Sequence, residues 1–217
     1  MRIGTWNLEG RWDGRQECLM SELNCNVWLL TEVSDLVTLD GYTKHQTTEY
    51  MDPSRKKRWA AILSRARLEA KVDPHPASAL ARVDGLQFCS SILPWRSCGA
   101  RYPWNGARHA DKTKTTIDEL LRYLPRSGLI WGGDWNHALS ETEYAGSAGG
   151  RSHIMGAVAR LGLEVPTAAL PHRLPNLLSI DHIAVPKGTA VVSAERVVAS
   201  AEWKRLSDHD AYVVEIG

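Results

Sequence analysis

The sequence has almost no net charge, which removes one common basis for nucleic-acid binding. Its 26 Lys and Arg residues nearly balance its 25 Asp and Glu residues, leaving a formal charge of +1. A domain that grips a phosphate backbone over a broad face is usually strongly basic. Any attraction for phosphate must therefore be local, and the one dense basic run, residues 55–58 (RKKR), is more typical of a solvated loop than of a binding stripe.

Paired cysteines, a targeting segment and a long apolar run are also lacking. The four cysteines form no CxxC pair and do not have the close, even spacing of a secreted disulfide framework. Met1 leads directly into the strand-like residues 2–6, and no apolar run approaches the length of a membrane span. We therefore expect reduced cysteines, a cytoplasmic location, no membrane partner and no obligate protein partner.

Phenylalanine is nearly absent, with one residue against nine tryptophans. Four of these tryptophans lie in or beside apolar runs, where a large ring mostly serves packing: Trp6, Trp59, Trp131 and Trp135. The hydrophobic share of 43% and the charged share of 24% are those of an ordinary globular chain. Without a repeat, a linker or a break in composition, residues 1–217 are predicted to form one domain.

Hydrophobic patterning predicts alternating strands and helices in the first half of the chain and mostly strands in the second. Strand patterns cover 2–8, 27–31, 42–49, 59–64, 78–84, 86–92, 129–131, 178–185, 190–198 and 210–216, and helical patterns cover 14–25, 114–124 and 152–162. Asp84-Gly85 indicates a hairpin, residues 94–110 a long functional loop, and residues 146–150 a glycine-rich loop. This order favours an α/β fold with two sheets packed face to face and helices outside.

Five short segments place polar side chains at the ends of predicted strands. They are residues 5–9 (TWNLE), 30–33 (LTEV), 132–136 (GGDWN), 179–183 (SIDHI) and 207–210 (SDHD). Each alone is compatible with a turn or a solvated strand end, because short motifs often match by chance. Together they point to a site, since a carboxylate that follows a buried apolar run must be hydrated, paired or bound to a metal.

In this order the five segments resemble the signature set of the endonuclease/exonuclease/phosphatase superfamily, over residues 5 to 210. The family fold is a four-layered α/β sandwich, two mixed β-sheets packed face to face with flanking helices and an active site at one rim. Its members include apurinic-site endonucleases, deoxyribonuclease I, deadenylases, inositol polyphosphate 5-phosphatases and sphingomyelinases. The resemblance implies a hydrolytic phosphoesterase that depends on Mg²⁺, with Mn²⁺ as a substitute.

The resemblance also implies a metal site. Glu32 is the expected principal ligand, a hard oxygen donor of the kind that Mg²⁺ prefers. Asn7 carries no charge and is expected to orient Glu32 and to touch the ion or the phosphate. Asp208 is expected near the ion, either as a direct ligand or through water. Strand alternation would place Glu9 on the same face as Asn7, which makes Glu9 a further candidate.

The catalytic residues implied by the resemblance form two pairs. Asp134 and Asn136 would share one face of an extended backbone, with Asp134 acting on the attacking water and Asn136 holding a phosphate oxygen. Asp181 and His209 resemble the family's carboxylate–histidine pair, in which the carboxylate favours an imidazolium that donates to the phosphate. His182 alternates to the face opposite Asp181 and is interpreted as structural.

One strand departs from the family pattern. Many nuclease members carry Tyr or His on the strand that corresponds to residues 87–93, whereas residues 88–93 here read FCSSIL. Arg96 and Arg101, in the following loop, are candidates for the missing phosphate contact, because a guanidinium offers two parallel donors. A solvated arginine is an equally good interpretation of each. Asp210 is expected to cap or to pair locally.

The motifs do not separate the possible substrates. A nuclease acting on DNA or RNA is the leading hypothesis, since nucleases dominate the family and the Arg- and Trp-rich loop suits phosphate contact with base stacking. A phosphomonoesterase or small-molecule phosphodiesterase, acting on a nucleotide, an inositol phosphate or a phospholipid headgroup, would use the same residues. An inactive binding protein on the same fold would be expected to have lost at least one of five residues, and all five are present: Glu32, Asp134, Asn136, Asp181 and His209.

Overall fold

A computed structural model describes residues 1–100 and 102–217. In chain order its elements are β1 (Arg2–Asn7), α1 (Gly14–Leu23), β2 (Val27–Ser34), β3 (Thr43–Gln46), β4 (Tyr50–Asp52), β5 (Lys57–Ser64), β6 (Leu68–Ala70), β7 (Ser78–Val83), β8 (Leu86–Ser91), α2 (His109–Tyr123), β9 (Leu129–Asp134), α3 (Ala148–Arg160), β10 (Leu163–Glu164), β11 (Asp181–Pro186), β12 (Val191–Val197), β13 (Ser200–Ala201), β14 (Lys204–Arg205) and β15 (Ala211–Ile216).

The first sheet joins the two ends of the chain. Its strands run in the order β12–β15–β1–β2–β5–β3, and β4 also pairs with β5. β1 is parallel to β2 and antiparallel to β15, so the sheet is mixed. The parallel register sets Asn7 beside Thr31, and the chain therefore leaves β1 and β2 at the same rim.

The second sheet is also mixed and has the order β10–β11–β9–β8–β7–β6. β8 and β9 are parallel, whereas β11 runs antiparallel to β9 with Asp181 directly opposite Asp134. The hairpin predicted at Asp84-Gly85 joins β7 to β8, and both of its turn residues have positive φ. A separate two-stranded hairpin, β13–β14, precedes β15.

Three apolar clusters show how the layers are stacked. Alternate residues of the strands fill the space between the sheets, including Ile3, Leu29, Ile62, Phe88, Ile130, Ile183 and Val214. On the outer face of the first sheet, Trp6, Trp28 and Leu30 pack against Met20 of α1. On the outer face of the second sheet, Trp131 packs with residues of α2 and α3, including Leu120 and Ile154. The predicted four-layered sandwich is confirmed.

Two helices begin earlier in the chain than the hydrophobic pattern of the sequence predicts. α2 begins at His109, before the predicted residue 114, because the backbone N–H of Arg108 donates to Asp111 Oδ2 at 3.1 Å and caps a polar first turn. α3 begins at Ala148, inside the predicted glycine-rich loop, where Ser147 caps the helix through the N–H of Gly150. Glycine is required at 150, since a Cβ there would lie 2.2 Å from the His137 ring.

Five short strands were not predicted from the sequence. They are β4, β6, β10, β13 and β14, each two or three residues long. Segments of that length carry too little periodicity to be recognised. Among the described residues, the four cysteines form no disulfide, as expected. None of the helices described is both long enough and apolar enough to traverse a membrane.

Candidate active site

The predicted site residues meet where four strands begin or end. Asn7 ends β1 and Asp134 ends β9, while Asp181 begins β11 beside the end of β9. β15 runs antiparallel to β1, so His209, two residues before β15, lies near the end of β1. The indole N–H of Trp6 fixes this approach by donating to the His209 carbonyl at 3.2 Å. Strand register thus brings together four residues that are far apart in the sequence.

Asp181 and His209 form a buried ion pair. His209 Nδ1 lies 2.7 Å from Asp181 Oδ2, and Asp181 is only 1% exposed. Burial alone would lower the pKa of His209, but the carboxylates of Asp181 and Asp134 outweigh it and raise that pKa well above the usual range. The ring is therefore an imidazolium at neutral pH. Its Nε2 is 3.9 Å from Asp134 Oδ2.

A hydrogen bond from the Asn7 amide and the close packing of β9 against β8 hold Asp134 in place. Asn7 Nδ2 donates to Asp134 Oδ2 at 3.0 Å and to Glu32 Oε1 at 3.3 Å, so one amide connects both carboxylates. Burial, reinforced by Asp181, raises the pKa of Asp134. The preceding Gly133 has a φ of 122°, and a Cβ there would lie 2.2 Å from the Ser91 carbonyl oxygen. Only glycine fits at that position, which fixes the end of β9.

Asn136 reaches the site by a different route from the one predicted. The expectation of extended backbone from Asp134 to Asn136 is wrong, because β9 ends at Asp134 and Asn136 has a φ of 52°. Its backbone N–H donates to Asp134 Oδ1 at 3.0 Å, and its Nδ2 donates to the Leu93 carbonyl at 3.1 Å. Asparagine tolerates this left-handed conformation better than most residues. Asn136 still lines a cavity of about 180 Å³ with Asp134, Glu32 and His209.

Glu32 is paired with a lysine that the sequence analysis missed. Its carboxylate accepts a hydrogen bond from Lys57 Nζ as well as from Asn7. Lys57 belongs to the basic run interpreted as a solvated loop, and for Lys57 and Arg58 that interpretation is wrong. Both lie in β5 and are ion-paired, Arg58 with Asp35 at 2.9 Å. The contact depends on the pairing of β2 with β5, which sets Lys57 opposite Ser34 and which no local motif signals.

Glu9 and Asp208 lie at the rim of the site. The alternation argument for Glu9 is wrong, since β1 ends at Asn7 and Glu9 has a φ of 54°. Its carboxylate accepts from the Asp208 backbone N–H and from Arg11 Nη2, both at 3.0 Å. The Asp208 side chain is 54% exposed, with Oδ1 4.0 Å from His209 Nε2. Neither carboxylate lines the cavity that Asp134 and His209 share.

The loop after β8 contributes an aromatic ring to the cavity where an arginine was predicted. Arg96 is exposed, and its Nε donates to the Gly146 carbonyl at 2.8 Å. Trp95, Ile92 and Met51 line the cavity and were not singled out from the sequence. Their positions follow from loop conformation and from the β4–β5 pairing. Arg101 lies outside the described residues.

Two further expectations agree with the structure. His182 is fully buried, its Nε2 lies 2.9 Å from the His137 carbonyl, and burial lowers its pKa to about 4, as expected of a structural neutral ring. Asp210 pairs locally, with Arg205 at 2.6 Å and Arg196 at 3.5 Å.

The donor set fits a hard divalent cation on the Glu32 side of the site. Ligand atoms of Asp134, Asp181 and His209 lie within 4.8 Å of one another, yet an imidazolium has no free lone pair for a metal. The remaining donors are oxygens of Glu32, Asp134 and Asn7, the chemistry that Mg²⁺ and Mn²⁺ prefer. Asp181 Oδ1 is buried and finds no hydrogen-bond partner among the described residues, so negative charge in the site is incompletely compensated.

Known proteins resemble this chain in structure and not in sequence. No family model and no curated protein matches the sequence. An AP endonuclease from Archaeoglobus fulgidus superposes with a TM-score of 0.72 at 12% identity, covering 100% of this chain and 99% of that one. The 3′-5′ exonuclease NExo from Neisseria meningitidis gives 0.68 at 18%, with 100% and 99% covered.

A third solved structure, the human Nocturnin catalytic domain, gives a TM-score of 0.62 at 18% identity, with 100% of this chain and 93% of that chain covered. At such identities the likeness concerns the fold. One solved neighbour, from Leptotrichia buccalis, is named a member of the endonuclease/exonuclease/phosphatase family. The chain therefore shares the fold of these proteins, the DNase I-like fold.

Proposed function

We propose that this protein is a divalent-metal-dependent phosphodiesterase that hydrolyses nucleic acid, with Mg²⁺ as the natural ion. One observation carries the proposal: the buried Asp181–His209 pair stands beside Asp134, which Asn7 links to Glu32. Burying two carboxylates and an imidazolium together is costly unless they act on a ligand or hold one another. Two solved neighbours support the substrate class, an AP endonuclease and NExo bound to a product DNA hairpin.

The residues divide the work of phosphodiester hydrolysis. A bound divalent ion would compensate charge on the non-bridging oxygens and acidify water, and Glu32, Asp134 and Asn7 would hold it. Asp134, once ionised, accepts a proton from the attacking water, whose oxygen bonds to phosphorus while the bond from phosphorus to the leaving oxygen breaks and that oxygen takes a proton from solvent. His209 donates a hydrogen bond from Nε2 to a non-bridging phosphoryl oxygen, and Asp181 keeps the ring charged and oriented. Asn136 has one amide hydrogen left beyond its bond to Leu93 and offers it to a phosphate oxygen.

A phosphomonoester or small phosphodiester is the second candidate substrate. The catalytic cavity, about 180 Å³, accommodates little more than a phosphoryl group and its neighbours. The formal charge of +1 provides no broad basic face for a duplex. Both observations favour a small or locally recognised substrate, which would use the same residues. One neighbour, NExo, is itself described as a 3′ phosphatase.

A substrate panel tests the proposal. Purified protein with Mg²⁺ or Mn²⁺ is assayed on plasmid, single-stranded DNA, RNA, abasic duplex and phosphomonoesters. We expect hydrolysis of at least one nucleic acid and a loss of about 10² or more in Asp134→Asn. Hydrolysis of monoesters alone would select the second candidate. Equal rates in wild type and Asp134→Asn would refute the proposal that this site catalyses the hydrolysis.

A further inference from the structure

A second cavity opens beside the catalytic one. It has a volume of about 470 Å³, within the usual size of small-molecule sites, and six residues form most of its wall: Met51, Trp59, Trp95, Cys98, Tyr102 and Trp104. We call it the aromatic cavity. It shares Met51 and Trp95 with the catalytic cavity. A ligand that occupies it would therefore lie next to a phosphoryl group held by Asp134 and His209.

The rings of the aromatic cavity are fixed in place by one another. Trp104 meets Trp59 edge to face, with centroids 5.4 Å apart and planes at 77°, and meets Trp95 in the same way at 6.0 Å and 87°. His75 stacks on Trp104 at 5.5 Å, and Trp104 itself is only 3% exposed. Tyr102, 67% exposed, belongs to the same wall. Trp59 and Trp104 are almost fully covered, so the accessible ring surface of the wall is that of half-buried Trp95 and exposed Tyr102, on which another flat ring can stack.

The wall of the aromatic cavity is uncharged. None of its eight described lining residues carries a formal charge, and most of its surface comes from aromatic rings and from Met51 and Cys98. A ligand suited to this wall is therefore flat, uncharged and aromatic.

Resting on the proposed function, we propose that the aromatic cavity binds the nucleobase of a nucleotide that flanks the scissile phosphate. A nucleobase is flat and carries acceptors at its edge, and aromatic side chains bind bases of any sequence through stacking. The base must leave its helical stack to enter, as in enzymes that extrude nucleotides. The preferred substrate is then a single strand, a loop or a chain end, which also fits the low formal charge of +1.

Matched short substrates test this inference. A dinucleotide with two bases is compared with the same molecule carrying a tetrahydrofuran abasic unit and with an alkyl phosphodiester of similar size, all with Mg²⁺. We expect kcat/KM to be about 10-fold to 100-fold higher for the substrate that carries the base, from the typical strength of base stacking. Equal rates with the abasic or alkyl substrate would overturn the inference while leaving the proposed function intact. Hydrolysis of none of the three would count against the proposed function and leave the base site to the binding measurement below.

Variants locate the preference in the aromatic cavity. Trp104→Leu, which removes the ring that packs against Trp59 and Trp95, should lower the ratio of base to abasic rates toward one. Tyr102→Leu, at a largely exposed side chain, should fold normally and lower the same ratio. Trp203→Leu, at a fully exposed tryptophan on the β13–β14 hairpin, is the matched control and should change nothing. A ratio unchanged in both cavity variants would overturn the assignment.

A binding measurement separates the two proposals. In an Asp134→Asn background with Mg²⁺, thymidine 5′-monophosphate should bind about 10-fold or more tightly than 2-deoxyribose 5-phosphate. Tyr102→Leu, at the most exposed ring of the wall, should lose part of this difference. The result does not depend on turnover, so the base site can be supported even if no hydrolysis is found. Equal affinities for the two phosphates would contradict it.

Discussion

The two halves of the candidate site differ in how firmly the fold holds them. In the buried half, Asn7, Asp134 and Asp181 are at most 3% exposed and are fixed by strand register. In the rim half, Asp208 and Arg96 are exposed and lie in turns or loops. A group fixed in a dry pocket acts strongly on charge that develops in a transition state, whereas an exposed group is screened. Substitutions should therefore have graded effects from the buried half to the rim.

The largest effects are expected in the buried half. Asp134→Asn and His209→Ala should each lower kcat by about 10² to 10⁴, the range for positioned acid–base and charge-stabilising groups. The double variant should lose little more than the worse single one, because both residues act on one transition state. Circular dichroism and thermal melting would establish that the variants fold. Wild-type rates in either purified variant would mean that the substituted residue takes no part in catalysis.

The pH profile should reveal the coupling within the buried half. His209 acts as an imidazolium, so activity is lost as pH rises through its raised pKa; Asp134 acts as a carboxylate, so activity is lost as pH falls through its raised pKa. Asp181 raises both pKa values. Asp181→Asn should therefore move both limbs of the kcat/KM profile to lower pH, by about one unit or more. If neither limb of the kcat/KM profile moves in this variant, Asp181 does not raise the pKa values of His209 and Asp134.

Lys57 lies between the two halves, and its removal should affect metal binding. Its ammonium neutralises Glu32 and competes with a cation for that carboxylate. Lys57→Met should lower the apparent Kd for Mn²⁺ several-fold, measured by titration calorimetry or electron paramagnetic resonance without substrate. Lys71→Met, at an exposed lysine paired with Glu69, is the control. An unchanged Mn²⁺ affinity would mean that Lys57 does not compete with the ion, and a weaker one that Lys57 supports the metal site.

The rim is where the smallest effects are expected, and Arg96 is its sharpest test. If Arg96 releases the Gly146 carbonyl to bind phosphate, Arg96→Lys should lose much of the activity despite the retained charge, and Arg96→Ala somewhat more. If it remains at the surface, both variants should match wild type. Unchanged kcat/KM in Arg96→Ala would show that Arg96 is a solvated surface residue. A loss of kcat/KM beyond about 10² would show that the rim contributes as much to catalysis as the buried half.

The same contrast explains what the sequence could and could not predict. Asn7, Asp134 and Asp181 are recognisable because each sits in a short motif at the end of an apolar strand, where the local pattern determines its position. Lys57 and Met51 reach the site only through the pairing of β2, β4 and β5, which are separated by loops without register signals. A local pattern carries no information on such long-range pairing.

Strand alternation in the sequence also did not predict the backbone turns at the strand ends. Glu9, Glu32 and Asn136 all have φ near 50°, and alternation ceases to apply where the chain enters the left-handed region. Tryptophan shows a similar limit. Trp6, Trp131 and Trp135 are fully buried as packing residues, as their apolar surroundings predicted, whereas Trp59 in equally apolar surroundings borders the aromatic cavity. Burial alone does not separate a packing ring from a binding one.

Chelation tests the central claim most directly, because the oxygen donors of Glu32, Asp134 and Asn7 are of the kind that hold Mg²⁺ or Mn²⁺. Hydrolysis of the best substrate from the panel should cease in excess EDTA and return when Mg²⁺ or Mn²⁺ is added beyond the chelator. The Asp134→Asn variant should stay inactive under both conditions. Full turnover of the wild type in excess EDTA would contradict the metal-dependent site proposed for this fold.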